Sequence, residues 1–218
     1  TLRQVAQVAD QTGRLSNERV RLERDLRRDA LEAAVRILKG EPLQAIPLLK
    51  PITISGVAAT TERFRAWLAL GDSYTALGDW DQAATAYENA AGLDAKQVQP
   101  RLAAAQAWLS AHQPERAVRH LEPLLAQPPS PDVFLVLARA WMASQATLPA
   151  GRRDWGPVER IVAQFAGGGE RKGVSEPWRV DLLQADIALV RGQEAGSADR
   201  GADAALAAMH AAAQQYPD

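Results

Sequence analysis

One segment of this chain is written again downstream, and that recurrence restricts the fold more than any other feature. Residues 64–97 carry Trp67, Leu70, Gly71, Tyr74, Gly78, Ala83, Tyr87 and Ala90. Moved along by 34 positions, the pattern returns with Ala105 for Gly71, Trp108 for Tyr74, Ala117 for Ala83 and Leu121 for Tyr87, and with Pro129 thirty-four residues after Ala95. A further shift of 33 sets Phe134, Leu137, Ala138 and Trp141 in the slots of Trp67, Leu70, Gly71 and Tyr74. A period of this length is one supersecondary unit that cannot bury its apolar face alone, so neighbouring units must stack.

Each unit reads as two helices. The chain favours Ala, Leu, Arg, Gln and Glu, the straight-chain helix formers. Breaks fall at Gly40-Glu41-Pro42, Gly78-Asp79, Gly92, Gln113-Pro114, Pro128-Pro129, Gly167-Gly168-Gly169 and Gly192, leaving helices of about 12–15 residues between them. The most strand-like run is Ile52-Thr53-Ile54, and Gly56 soon ends it. Helix starts are expected at Ser130-Pro131-Asp132 and Ser175-Glu176-Pro177, where a hydroxyl, a first-turn proline and an acid coincide. Another is expected at Ser16-Asn17-Glu18, opening a helix to about Lys39 whose Leu15, Leu22, Leu26, Ala30, Ala33 and Ile37 share one face.

Residues 64–97 resemble the tetratricopeptide repeat closely: Trp, two residues, Leu-Gly, two residues, Tyr, then Ala, three residues and an aromatic. Tyr87 holds the aromatic slot usually given to Phe, and Ala95 stands where the pattern has proline. The likeness extends less closely over 98–130 and weakly over the rest of 26–218. The third unit shows a second helix delayed by about eight residues, with Val158, Val162 and Phe165 inward. A fourth holds Leu182, Ala185, Asp186, Ala188 and Gly192, then Ala205, Met209, Ala212 and Pro217. A degenerate hairpin with Ala33, Gly40, Ala45 and Leu49 precedes them. The resemblance implies an all-α, right-handed α-solenoid of about four to five helical hairpins over 26–218, after an N-terminal helical extension at 1–25. Small residues explain the spacing: Gly71 and Ala83 let paired helices approach to about 9 Å.

The same resemblance implies function. First helices of successive hairpins line a concave groove, which puts Arg65, Leu68, Asp72 and Thr75 on it, followed by Gln99, Leu102, Gln106 and Leu109. Asp132, Leu135, Arg139 and Met142 come next, then Arg179, Leu182, Asp186 and Leu189. Leu68, Leu102, Leu135 and Leu182 form an apolar rail; Asp72, Gln106, Arg139 and Asp186 form a polar one. Such a groove suits an amphipathic protein or peptide segment. The family's carboxylate clamp uses Lys and Asn at the slots of Leu68 and Asp72, so chaperone C-terminal tails are not expected. The alternative is a structural or oligomerisation segment of a larger multidomain or membrane-anchored assembly protein; the start at Thr1 leads us to expect sequence upstream.

Composition narrows the rest. Lys+Arg is 25 against Asp+Glu at 26, so no general attraction to nucleic acid is expected. Cysteine is absent, which removes disulfides and Cys-based metal sites but leaves cytoplasm and periplasm equally open. No apolar run of about 20 residues exists to span a membrane. Arg19, Arg21, Arg24, Arg27 and Arg28, with Glu23 and Asp25 between them, read as a solvated helix face. His112, His120 and His210 have no metal-ligand spacing. Gly71-Asp72-Ser73 imitates a hydrolase nucleophile block but lies in a helical context, whereas a nucleophile serine follows a buried strand. Gly167–Gly173 lacks the Gly-Lys-Ser/Thr ending of a phosphate loop. The expectation is a binding scaffold with no catalytic residues, metal or cofactor.

Overall fold

A computed structural model describes residues 2–126, 130–166, 178–194, 202–203, 205–207 and 209–210, with the side chains of 2–10 and of some later helical positions left aside. Among the described residues every regular element is a helix: α1 (Leu2–Leu38), α2 (Pro42–Ile54), α3 (Thr60–Ala76), α4 (Trp80–Leu93), α5 (Gln99–Ser110), α6 (Pro114–Leu121), α7 (Pro131–Ala146), α8 (Gly156–Ala166) and α9 (Trp178–Glu194), with short 3-10 turns at Glu122–Ala126 and Ala150–Arg152. Residues 202–203, 205–207 and 209–210 are helical as well. The chain divides into two compact units, Thr1–Ala107 and Trp108–Asp218, the boundary falling within α5.

In the first unit, α1 packs on α2, α2 on α3 and α3 on α4. Leu26, Ala33, Ala45, Ile46, Leu49, Ile52, Ala66, Leu70 and Ala86 make a continuous core. The weakly written first hairpin is therefore present, with Ala33, Ala45 and Leu49 buried in it. The most strand-like run is helical, and one expectation needs correction. Ile52-Thr53-Ile54 is the last turn of α2, because Ile52 and Thr53 bury on the helix face that also carries Ala45, Ile46 and Leu49. Ser16 does not start a helix: α1 is already running from Leu2. Its hydroxyl donates to the Thr12 carbonyl at 2.9 Å, a back-bond that satisfies serine inside a helix.

Hairpin turns share one device. Gly40 and Gly78 take φ of 73°, and His112 takes 57°. The residue after each donates its N–H five positions back: Glu41 to Arg36, Asp79 to Tyr74 and Gln113 to Trp108, each at 2.9 Å. This is the Schellman closure, which needs a left-handed residue just past the helix and is met most cheaply by glycine. After the second turn, the Asp79 carboxylate accepts from the Gln82 N–H at 3.3 Å and caps α4. The breaks expected at Gly92 and Gly192 are absent, since α4 runs to Leu93 and α9 to Glu194.

In the second unit, α6 packs on α7, and α7, α8 and α9 pack on one another. Ala117, Leu121, Val133, Leu137, Ala138, Val158, Leu183, Ala185 and Ala205 are buried. The delayed second helix of the third repeat is α8, and Val158 faces inward as expected. Val162 and Phe165 lie outside the described side chains, as Ala212, Pro217, the Gly167–Gly173 stretch and the Ser175–Pro177 start lie outside the described residues. Ser130 does hold the N-cap position of α7, with Pro131 in the first turn, but its hydroxyl makes no cap bond.

Candidate functional site: the first-helix faces

The site is built around α3. Glu62 lies in its first turn and accepts from the Ala59 N–H at 3.0 Å and from Arg27 of α1 at 3.2 Å. The backbone bond first, and Arg27 after it, hold the Glu62 carboxyl below its ordinary value against the opposing effect of burial. Immediately after Leu70, the helix passes Gly71. A Cβ there would collide with Cε1, Cδ1 and Cζ of Tyr87, so the tyrosine ring of α4 packs against bare backbone. That approach brings the phenol within reach of Asp72 and Thr75 of α3.

There the Tyr87 hydroxyl donates to Asp72 Oδ1 at 2.7 Å. Its proton is thereby committed, so the Thr75 hydroxyl, 3.3 Å from the same oxygen, acts as donor to it. Burial raises the Tyr87 pKa, the Thr75 bond lowers it, and the Asp72 bond and charge raise it; the balance pushes it up to about 12. Asp72 itself remains exposed. The arrangement is a solvent-facing carboxylate whose orientation is fixed by a buried tyrosine. Ser73, the centre of the hydrolase-like letters, is buried within α3 and donates to the Ala69 carbonyl at 2.7 Å. It sits mid-helix and not on a strand-to-helix turn.

The two rails fare differently. Asp72, Gln106, Arg139 and Asp186 are all exposed. Among the leucines, Leu102 and Leu135 are only 5% and 8% exposed and belong to the interiors of their own units, Leu68 is half-buried, and Leu182 is 37% exposed. Of the remaining positions, Arg65 and Gln99 are exposed, Thr75, Leu109, Asp132, Met142 and Leu189 are half-buried, and the Arg179 side chain lies outside the described residues. In the second unit, the helices holding Arg139 and Asp186 pack directly on each other. Spacing could not separate exposed from buried leucines, because every fourth residue shares a helix face whether or not a neighbour covers it.

Other candidates are accounted for structurally. Trp155 is buried at the end of the α7–α8 connection and Trp80 is half-buried at the start of α4. The Arg116 guanidinium stacks over the Trp108 ring, 4.4 Å from its centroid. His112 is exposed in its turn, His120 is half-buried in α6 and His210 is exposed. Among the described residues no group of three or more His, Cys, Asp or Glu could hold a metal, and no helix is long and apolar enough to cross a membrane.

Residues 74–140, from the end of α3 into α7, match the family model described as tetratricopeptide repeat. Over those residues the chain is similar to tetratricopeptide repeats. Two crystal structures of nearly identical TPR-like repeats, from a Podosopora anserina protein described as a kinesin light chain, share the fold. One of them, a single-substitution variant, gives a TM-score of 0.57 at 19% identity, over 87% of this chain and 95% of that one. The other gives 0.57 at 20% identity, over 88% and 97%. No curated protein sequence matches the chain. Tetratricopeptide-type folds generally mediate protein–protein interaction.

Proposed function

We propose that this chain is a non-enzymatic scaffold that holds a protein partner segment against the first-helix faces of its repeats. Asp72, Gln106, Arg139 and Asp186 make the polar contacts, and Leu68 and Leu182 supply the accessible apolar ones. The observation that carries the reading is the Asp72–Tyr87 bond. A carboxylate fixed before binding loses little freedom when it accepts a partner's N–H or ammonium group, and its charge sets orientation and association rate. Leu102 and Leu135, buried in their own units, are not part of the proposed contact surface.

The test begins with affinity capture on the immobilised chain and identification of the bound protein, whose affinity is then measured by calorimetry. Asp72→Asn and Arg139→Glu are expected to weaken binding by about five- to thirtyfold, in line with 1–2 kcal/mol for a charged contact. Tyr87→Phe should weaken it less, by releasing Asp72 without removing it. Arg119→Asp, on the second helix of its hairpin, should leave affinity unchanged. Wild-type affinity in folded Asp72→Asn and Arg139→Glu together would defeat the proposal.

A further inference from the structure

The placement of protons around Asp72 selects what can bind there. Tyr87 commits its proton to Asp72 Oδ1 at 2.7 Å, and Thr75 commits its own to the Tyr87 oxygen at 3.3 Å. Both donors are directed inward along this chain of bonds. What remains for a ligand is acceptors alone: Oδ2 and the spare lone pair of Oδ1 on Asp72, and the lone pairs of the Thr75 hydroxyl. Asp72 and Thr75 stand three residues apart on α3 and share a face; the first is exposed and the second half-buried. Bond angles at the shared hydroxyl hold Asp72 Oδ1 and Thr75 Oγ1 about 5 Å apart. One nitrogen can bridge that gap with charge-assisted bonds of about 2.8 Å. Among the described residues Asp72 is ion-paired to no Lys or Arg.

A site with one negative charge and acceptors alone takes a cation that only donates. A divalent metal is a poor match, since it takes about six or more oxygens, and among the described residues no group of three or more His, Cys, Asp or Glu could hold one. A guanidinium is a flat fork suited to the two oxygens of a single carboxylate. Here Oδ1 already receives the tyrosine, and the next acceptor belongs to a different residue almost one turn on. An ammonium carries three donors on a rotatable stem and meets both residues at once. Half-buried Leu68, one turn upstream of Asp72, gives that stem an apolar surface to lie on. Arg65 stands two turns upstream, about 10 Å away, where salt screens it.

Building on the first-helix reading proposed above, we infer that Asp72 and Thr75, aligned by Tyr87, bind a primary ammonium group of the partner segment in preference to a guanidinium. The whole chain is immobilised and used to select binders from a display library of random short peptides. The strongest binder is synthesised with its lysine kept, changed to arginine or acetylated, each with a free or an acetylated N-terminus, and its affinity is measured by fluorescence anisotropy. Acetylating the group that docks should weaken binding about tenfold or more, and arginine in place of a docking lysine about fivefold. Loss on acetylating the lysine assigns the ammonium to a side chain, and loss on acetylating the N-terminus assigns it to the terminal amine. Asp72→Asn should erase that loss, and Thr75→Val should narrow the margin of lysine over arginine, with circular dichroism unchanged in both. Equal binding of all these forms, with affinity still lowered by Arg139→Glu, would overturn the inference and leave the first-helix reading standing. An ammonium preference that survives Asp72→Asn would overturn it as well, by placing the group elsewhere. If no peptide is selected whose binding responds to Asp72→Asn or Arg139→Glu, both proposals fall.

Discussion

The α3–α4 turn and the α7–α8 connection join the same two kinds of helix in opposite ways. Between α3 and α4 stand three residues, Leu77, Gly78 and Asp79. Gly78 supplies the left-handed step and Asp79 caps the next helix, so the reversal is specified within a few neighbours. Between α7 and α8 the chain runs from 147 to 155 through a 3-10 turn, held by contacts from further away. The Asp154 N–H donates to the buried Gln145 Oε1 at 2.7 Å. Arg153 donates to the Leu148 carbonyl at 2.8 Å and more weakly to Ala146. The Gly156 N–H donates to Asp154 Oδ1 at 2.9 Å, closing the start of α8. The lesson is that a short turn is built from backbone conformation, while a long one needs buried side-chain bonds to offset its greater loss of freedom.

The contrast can be broken most severely at the tight hairpin. Tyr87→Ala should cost roughly 3–5 kcal/mol in chemical denaturation, by leaving a cavity against α3. Gly71→Ala should cost about 1–3 kcal/mol, because the new methyl meets the tyrosine ring. The following repeat replaces both residues, with Ala105 and Leu121. A Gly71→Ala/Tyr87→Leu double variant should therefore lose less than the sum of the two single changes, and strict additivity would show that the two positions do not share space.

The long connection should yield to one polar change. Gln145→Ala is expected to cost about 1–3 kcal/mol by stranding the Asp154 N–H. Hydrogen exchange should quicken around 147–156 and stay slow in α3 and α4. Uniform loosening of both regions would mean that the connection is not a local latch.

Alkaline pH separates the regions by chemistry. Tyr87 has a folded pKa raised from 10.0 to about 12, so its contribution is complete below pH 10 and is lost as pH climbs towards 12. The decline should reach about 1–2 kcal/mol. Tyr87→Phe should flatten it, whereas Gln145→Ala should leave its slope unaltered.

The smallest effect sharpens the turn side of the comparison. His112 occupies the left-handed position that Gly40 and Gly78 fill elsewhere. His112→Gly should stabilise by about 0.5–1 kcal/mol, and Gly78→Ala should destabilise by about as much. A raised melting temperature for the first variant and a lowered one for the second would establish that the three turns are one device.

How much of this was legible beforehand depends on how far apart the interacting residues lie. The sequence by itself determined the helical class, the repeat period, the Gly40 and Gly78 reversals and the inward small residues. These follow from backbone preference and side-chain volume, both local properties. Tertiary structure decided the remainder. Ile52–Ile54 became helix because burial against neighbouring helices outweighed β-branched preference. Leu102 and Leu135 were withdrawn from the apolar rail while Leu68 and Leu182 kept exposure, since periodicity records a face but not what covers it. Asp72 was aimed by a hydroxyl fifteen residues away, and the α7–α8 connection was latched by a glutamine nine residues away. Those bonds exist only after packing brings their atoms within 3 Å and excludes the water that would otherwise compete for them.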